Sequence, residues 1–279
     1  MRRHDALLPH LTAWKWWYAG LAVLALVVGS NASLLLQFAG EDAVRLLAAP
    51  AAFVGFAALA LLLVRLASRR WPMAADLGLS PWLGGRDAAV IAVVFVASHA
   101  LFWLLGKADP SMQGNDAATL FREYGLDRGG IAAVAAIVSA AVLAPVCEEL
   151  LYRGIILRSL HDDLARRGRI ALAACVVVSA SAFLFALPHL GDSLLDAKAL
   201  AYLASGLAFS LVYLLTGSLT AAMVSHSLQS CWAFAQILLF GSGDVEVPPL
   251  VYVVVFGCPL WTWLCAVALY RLLRKGAPD

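Results

Sequence analysis

Residues 131–158 read IAAVAAIVSAAVLAPVCEELLYRGIILR, an apolar run of helix length interrupted by Glu148, Glu149 and Arg153. A membrane-spanning helix needs about 20 predominantly apolar residues, and this stretch exceeds that. Each charge at the centre of a span costs about 2.5–3.5 kcal/mol, so three cost roughly 7–10 kcal/mol before compensation. Helical geometry supplies part of the compensation. Glu149 and Arg153 stand four apart with the acid on the N-terminal side, the favourable order for an ion pair along a helix. Glu148 is turned about 100° away from Glu149 and lacks that partner. A spare carboxylate in such a setting suits general acid–base work.

The rest of the chain extends the same pattern. Of its 279 residues, 62% are hydrophobic and 14% charged, with a mean hydropathy of +0.84. Soluble domains run near 45–50% apolar and about 25% charged, so an ordinary water-soluble enzyme is excluded. The net charge of +2 and the lack of any basic tract give no reason to expect a nucleic-acid partner. Eight stretches are apolar enough to span: 14–38, 46–66, 88–106, 131–158, 170–189, 199–216, 218–240 and 249–271. The ten-residue alternating hairpins of an outer-membrane barrel are missing. The expected fold is all-α, a polytopic membrane helical bundle of about eight transmembrane helices, with residues 1–279 forming one membrane domain.

Charge placement sets the orientation. With the N-terminus in the cytoplasm, only Arg45, Lys107, Arg122, Arg128 and Lys198 of the 20 basic residues fall outside. This bias is the one the positive-inside rule requires, and it puts both termini in the cytoplasm. The Ala32-Ser33 pair after the first apolar run resembles a signal-peptide cleavage site, but removing that span would break the charge pattern. Trp14, Trp16, Trp17 and Tyr18 read as an interfacial belt. The segment 107–130 is expected outside, with a short surface helix over Ala117–Tyr124. An Ala-, Leu- and Arg-rich composition points to a bacterial inner membrane. The five cysteines form no C-x-x-C pair and read as buried apolar thiols.

Ionisable residues inside a span are functional-site hypotheses by default. His189 closes the fifth span in Phe185-Ala186-Leu187-Pro188-His189, and the seventh holds Ser225-His226-Ser227-Leu228-Gln229-Ser230. His226 and Ser230 share a helix face, with Gln229 beside them. Either segment alone reads as polar glue between helices. Together with Glu148 they could hold and deprotonate a water and steady an oxyanion, or hold a divalent metal. His99 in the third span reads as a packing polar. Simple counting puts Glu148 about 25 Å below Ile131 and His189 near the outer surface, well above it, unless residues 131–138 protrude, the fourth helix runs on past Arg158 with a bend near Pro145, or the fifth helix starts below the membrane surface.

These residues resemble the CPBP family of intramembrane proteases, the CAAX-protease and bacteriocin-processing ("Abi") group. Its pattern is E-E-x-x-x-R, F-x-x-x-H and H-x-x-x-N on three spans of an eight-span bundle. Glu148-Glu149-x-x-x-Arg153 and Phe185-x-x-x-His189 match it, and His226 opens the third motif with Ser230 in the usual Asn position. The resemblance covers about residues 131–235 and implies a catalytic core near 131–240. It implies an intramembrane endopeptidase acting on a membrane-anchored or lipidated peptide or protein in the bilayer. Glu148 and His189 would activate water, Glu149 and Arg153 would support them, and His226 with Ser230 would hold the oxyanion. Gln229 is a second amide source. Family members have been regarded both as glutamate-dependent and as metalloproteases. A zinc-like ion would therefore fall to Glu148, His189 and His226.

Other hydrolase patterns are incomplete. Gly241-Ser242-Gly243-Asp244 reads G-x-G-D, but no span offers a second Asp. Leu203-Ala204-Ser205-Gly206 lacks the first glycine of G-x-S-G. Cys147 as a nucleophile with His189 would make a cysteine protease. The rival from another class is a non-catalytic scaffold, or a transport or immunity protein, that keeps the polar cluster for packing or proton coupling.

Overall fold

The computed structural model describes residue 8 and residues 12–37, 42–108, 117–168, 170–189, 197–243 and 245–274. Asp244, Gly191 and Asp192 lie outside them. The described residues form helices and no strands. In chain order these are α1 (Tyr18–Gln37), α2 (Asp42–Ser68), the short α3 (Ala74–Leu77), α4 (Gly85–Ala108) and α5 (Ala117–Glu123). There follow α6 (Gly130–Arg166), α7 (Ile170–Ala186), α8 (Ala197–Thr216), α9 (Leu219–Gly241) and α10 (Pro249–Arg274).

The architecture is an all-α membrane bundle. Among the described residues, five helices are long and apolar enough to cross a bilayer: Ala48–Ser68, Gly85–Lys107, Gly130–Arg166, Ala199–Thr216 and Pro249–Arg274. Shorter apolar helices cover Tyr18–Gly29 and Ala174–His189. The remaining expected span is α9, with 23 residues, whose polar Ser225–Ser230 segment interrupts its apolar face.

The central helix departs most from the sequence expectation. It runs 37 residues, about 55 Å at 1.5 Å per residue, and contains two π-helical turns, Ser139–Leu143 and Leu150–Leu157. The first precedes Pro145, which has no N–H to donate to the carbonyl four residues back, that of Ala141. Two hydroxyls from neighbouring helices take that carbonyl instead: Ser227 Oγ of α9 donates at 2.5 Å and Thr262 Oγ1 of α10 at 3.4 Å. The Pro145 defect thereby ties three helices together one turn from Glu148.

One end of the bundle, the base, is closed by a buried polar lattice. Asp162 Oδ2 accepts from Thr12 N, Thr12 Oγ1 and Arg158 Nε at 2.7, 2.8 and 2.9 Å, and Oδ1 pairs with His161 Nδ1 at 2.8 Å. Arg166 donates to the carbonyls of Thr12 and Trp14. Tyr213 Oη of α8 donates to the Leu77 carbonyl at 3.0 Å, next to Gly78. That glycine sits at φ +74° and would bring a Cβ within 2.9 Å of the Gly217 carbonyl, so a side chain there meets both backbone strain and collision. Nearby, Arg70 and Asp76 pair at 2.7 Å, and that hydrogen bond holds the guanidinium above its ordinary pKa.

At the opposite end α5 is more than a surface helix. Phe121 is buried, and α5 lies so close to the end of α9 that a Cβ on Gly241 would collide with the Ala117 carbonyl.

Candidate active site

Four helices supply the site, and each polar group in it is held by a specific contact. On α6, Glu149 and Arg153 form the ion pair expected from their spacing, at 2.8 Å, with both side chains fully buried. An ion pair removed from water keeps its charges only when further hydrogen bonds satisfy them. Arg153 Nη2 donates to the Gly206 carbonyl of α8 at 2.7 Å, and Nε donates to Ser210 Oγ at 3.4 Å. Its guanidinium carbon also sits 5.0 Å and 5.4 Å from the ring centroids of Phe185 and Phe209, within cation–π range. Close helix approach is needed for this, and Gly206 allows it: a Cβ there would lie 2.8 Å from Ala182 Cα of α7.

The same carboxylate oxygen of Glu149 that accepts from Arg153 also meets His226 Nδ1 of α9 at 2.9 Å. A carboxylate oxygen accepts, so the Nδ1 proton is assigned to the imidazole. His226 Nε2 then points at Glu148 Oε2, 3.9 Å away. This is too long for a direct hydrogen bond and short enough for one water to touch both atoms. Phe209 stacks on the imidazole at 4.3 Å and Phe185 meets it edge-on at 5.5 Å, which fixes the ring plane.

His189 stacks on Tyr202 at 4.3 Å, and its Nδ1 lies 2.9 Å from the Phe185 carbonyl. Phe185, the first residue of F-x-x-x-H, thus contacts both histidines as well as Arg153. Glu148, His189, His226, Gln229 and Ser230 line a single cavity of about 1860 Å³. Gln229 Nε2 donates to Ser98 Oγ of α4 at 3.1 Å. His99 also lines the cavity, with Nδ1 2.8 Å from the Phe95 carbonyl, in the packing role expected of it. Glu149 and Arg153 lie behind the wall.

The height conflict between Glu148 and His189 resolves through helix length. Because α6 continues to Arg166, Glu148 stands about 27 Å above the base along its helix, and His189 stands about 28 Å along the chain from Ile170. They are level.

The ligand set expected for a metal does not converge in the same way. Among the described residues no three His, Cys, Asp or Glu side chains come close enough together to hold an ion. Glu149 engages His226 at Nδ1, which leaves Nε2 facing Glu148 and the cavity.

Sequence reasoning missed Ser227, Thr262, Ser98 and Phe209. Only the first two had a signal: a proline inside a buried helix leaves a carbonyl that must find a donor elsewhere.

Residues 130–232 match the family model described as type II CAAX prenyl endopeptidase Rce1-like. This segment is similar to that family. It runs from the first residue of α6 through the third motif on α9, so every site residue above except Ser98, His99 and Thr262 falls within it. The Rce1-like family is one of CAAX-type intramembrane endopeptidases, in keeping with the resemblance carried by the three motifs. No curated protein and no solved structure matches the chain.

Proposed function

We propose that the protein is an intramembrane endopeptidase that hydrolyses a peptide bond of a membrane-attached polypeptide by carboxylate-activated water. The observation that carries this reading is the 3.9 Å gap between Glu148 Oε2 and His226 Nε2 on the wall of a cavity shared with His189. In the gap a water gives its proton to Glu148 as its oxygen attacks the scissile carbonyl carbon. The carbonyl oxygen becomes an oxyanion. His226, held at Nδ1 by the Glu149 carboxylate, presents Nε2 to it as the hydrogen-bonding group. Glu148 then returns its proton to the departing amine as the C–N bond breaks. His189, on the wall of the same cavity, helps orient the water, and Arg153 holds Glu149 in place.

Ser230 brings a hydroxyl where the family pattern has an amide. Gln229, anchored by Ser98, offers an amide on the neighbouring face. The cavity walls suit an apolar extended chain: Pro50 and Phe53 of α2 and Phe102 and Trp103 of α4 line it. These two helices share no packed interface among the described residues, which leaves a lateral path from lipid. The setting we propose is a bacterial inner membrane.

The test is cleavage of a panel of membrane-anchored peptides by purified protein in detergent, with Glu148→Gln, His189→Ala and His226→Ala alongside. Wild type is expected to cleave with or without chelator, and Glu148→Gln to lose about 10²–10⁴-fold in kcat while keeping its fold. Cleavage that survives all three substitutions would overturn the mechanism. A folded protein that cleaves nothing would favour the scaffold reading.

A further inference from the structure

We infer that the cavity opens on the side of the membrane opposite the cytoplasm, so that its substrate is a polypeptide segment presented at the outer leaflet. The substrate half of this inference rests on the proteolytic reading above; the direction of the opening does not.

The two ends of the bundle differ in charge. At the base, Arg65, Arg69 and Arg70 follow one another around the end of α2, and Arg86 of α4 donates to the Leu215 carbonyl at 2.9 Å. Arg158, Arg166 and Arg167 belong to the lattice around Asp162 and Asp163. Arg271 and Arg274 close α10 at the same end. Hydrogen bonds bind these elements into one surface: Thr12 to Asp162, Tyr213 to Leu77, Thr220 to Ser80 and Leu219 to Gly78. At the far end the basic residues are Arg45, Lys107, Arg122, Arg128 and Lys198, fewer than at the base and offset by Glu123, Asp127 and Glu246. Lys and Arg near span ends are retained on the cytoplasmic side, so the base is cytoplasmic.

The cavity belongs wholly to the other half. Its lining includes Glu148, Phe209 and His226 together with Lys107, Glu123 and Arg128 from the far end. No residue of the Leu77–Ser80 turn, the Arg158–Arg166 helix end or the 213–219 turn lines it. The base is instead sealed by the buried polar lattice and by the packed pair Gly78 and Gly217. Access is therefore from the outer face or sideways from the outer half of the bilayer. A chain tethered only to the cytoplasmic leaflet cannot reach Glu148 without crossing that seal. The rim carries both signs, so the ligand is recognised by an extended apolar segment lying along Phe53, Phe102 and Trp103 and not by a charged end.

Two exposed positions at opposite ends report the orientation. Arg128→Cys and Arg167→Cys would each be treated with a membrane-impermeant maleimide in intact bacteria and again after permeabilisation. The unsubstituted chain provides the background from its own cysteines. Arg128→Cys is expected to label in intact cells, and Arg167→Cys only after permeabilisation. Labelling of Arg167→Cys in intact cells, alone or together with Arg128→Cys, would overturn the inference. Glu246→Cys and Trp82→Cys serve as a second outer and inner pair should either first variant fail to accumulate. A vesicle-tethered peptide is then offered to right-side-out and inverted membranes, with Glu148→Gln as the control. Cleavage confined to right-side-out membranes supports the inference, and cleavage confined to inverted ones overturns it with proteolysis intact. Absence of cleavage from both faces counts against the protease reading, while the labelling still decides the direction.

Discussion

Glu149 Oε1 lies 2.9 Å from His226 Nδ1, joining α6 to α9 through one carboxylate oxygen that is also engaged by Arg153 at 2.8 Å. The motif acid without direct access to the cavity thus sets the direction of the imidazole that has it. Removing one partner of a buried ion pair typically costs 3–5 kcal/mol, because the other charge is left uncompensated. Glu149→Gln is therefore expected to lower thermal stability in detergent by about that amount and to abolish cleavage. The double variant Glu149→Leu with Arg153→Met should recover most of the stability and none of the activity. Recovery of both would reduce Glu149 to a packing element.

The hydroxyls on the Ala141 carbonyl form a second test. Ser227 and Thr262 bond to each other at 3.0 Å and to that carbonyl, so either can cover for the other. Ser227→Ala and Thr262→Val should each cost about 1 kcal/mol, and the pair together more than their sum, because a bare buried carbonyl costs about 1–3 kcal/mol. Thermal melts of the four proteins in one detergent check this. Additive losses would mean that the Ala141 carbonyl finds its donor elsewhere.

Gly206 sits where α7 and α8 touch, and its carbonyl anchors Arg153. Gly206→Ala must push the helices apart and is expected to cost about 1–3 kcal/mol by overpacking, with a fall in kcat as Arg153 and Glu149 shift. A Gly206→Ala protein with unchanged melting and turnover would show that the helix spacing does not set the site.

Cys147 is buried in the apolar cluster beside Leu150 and Leu151, although it adjoins Glu148 in sequence. Cys147→Ala should leave cleavage unchanged, and thiol reagents should not inhibit. Loss of turnover with retained fold would revive a thiol nucleophile.

Much of this was legible in the amino-acid order. The i,i+4 spacing of Glu149 and Arg153 carries its own geometry, and apolar composition declares a membrane bundle. The depth of the site was not legible, because it depends on where α6 ends: the polar run Arg158–Arg166 reads as a cytoplasmic loop, yet the helix continues through it, with Asp162 and His161 buried. Burial of such residues follows from Thr12 and Tyr213, distant in sequence, which no local pattern reveals. The aromatic clamp of Phe185 and Phe209 on Arg153 escaped for the same reason, since phenylalanine in a span looks like any other apolar residue.

Coupling between Glu148 and His226 is the most direct measure of whether the two act on one water. Groups acting as a unit are strongly non-additive. Initial rates of peptide cleavage would be measured for Glu148→Gln, His226→Ala and the double variant, each at matched folded concentration. The expected result is a double variant no slower than the worse single one, both singles being down by about 10²-fold or more. Independent losses that multiply in the double variant, or a single variant that keeps the wild-type rate, would contradict a water shared between the two side chains.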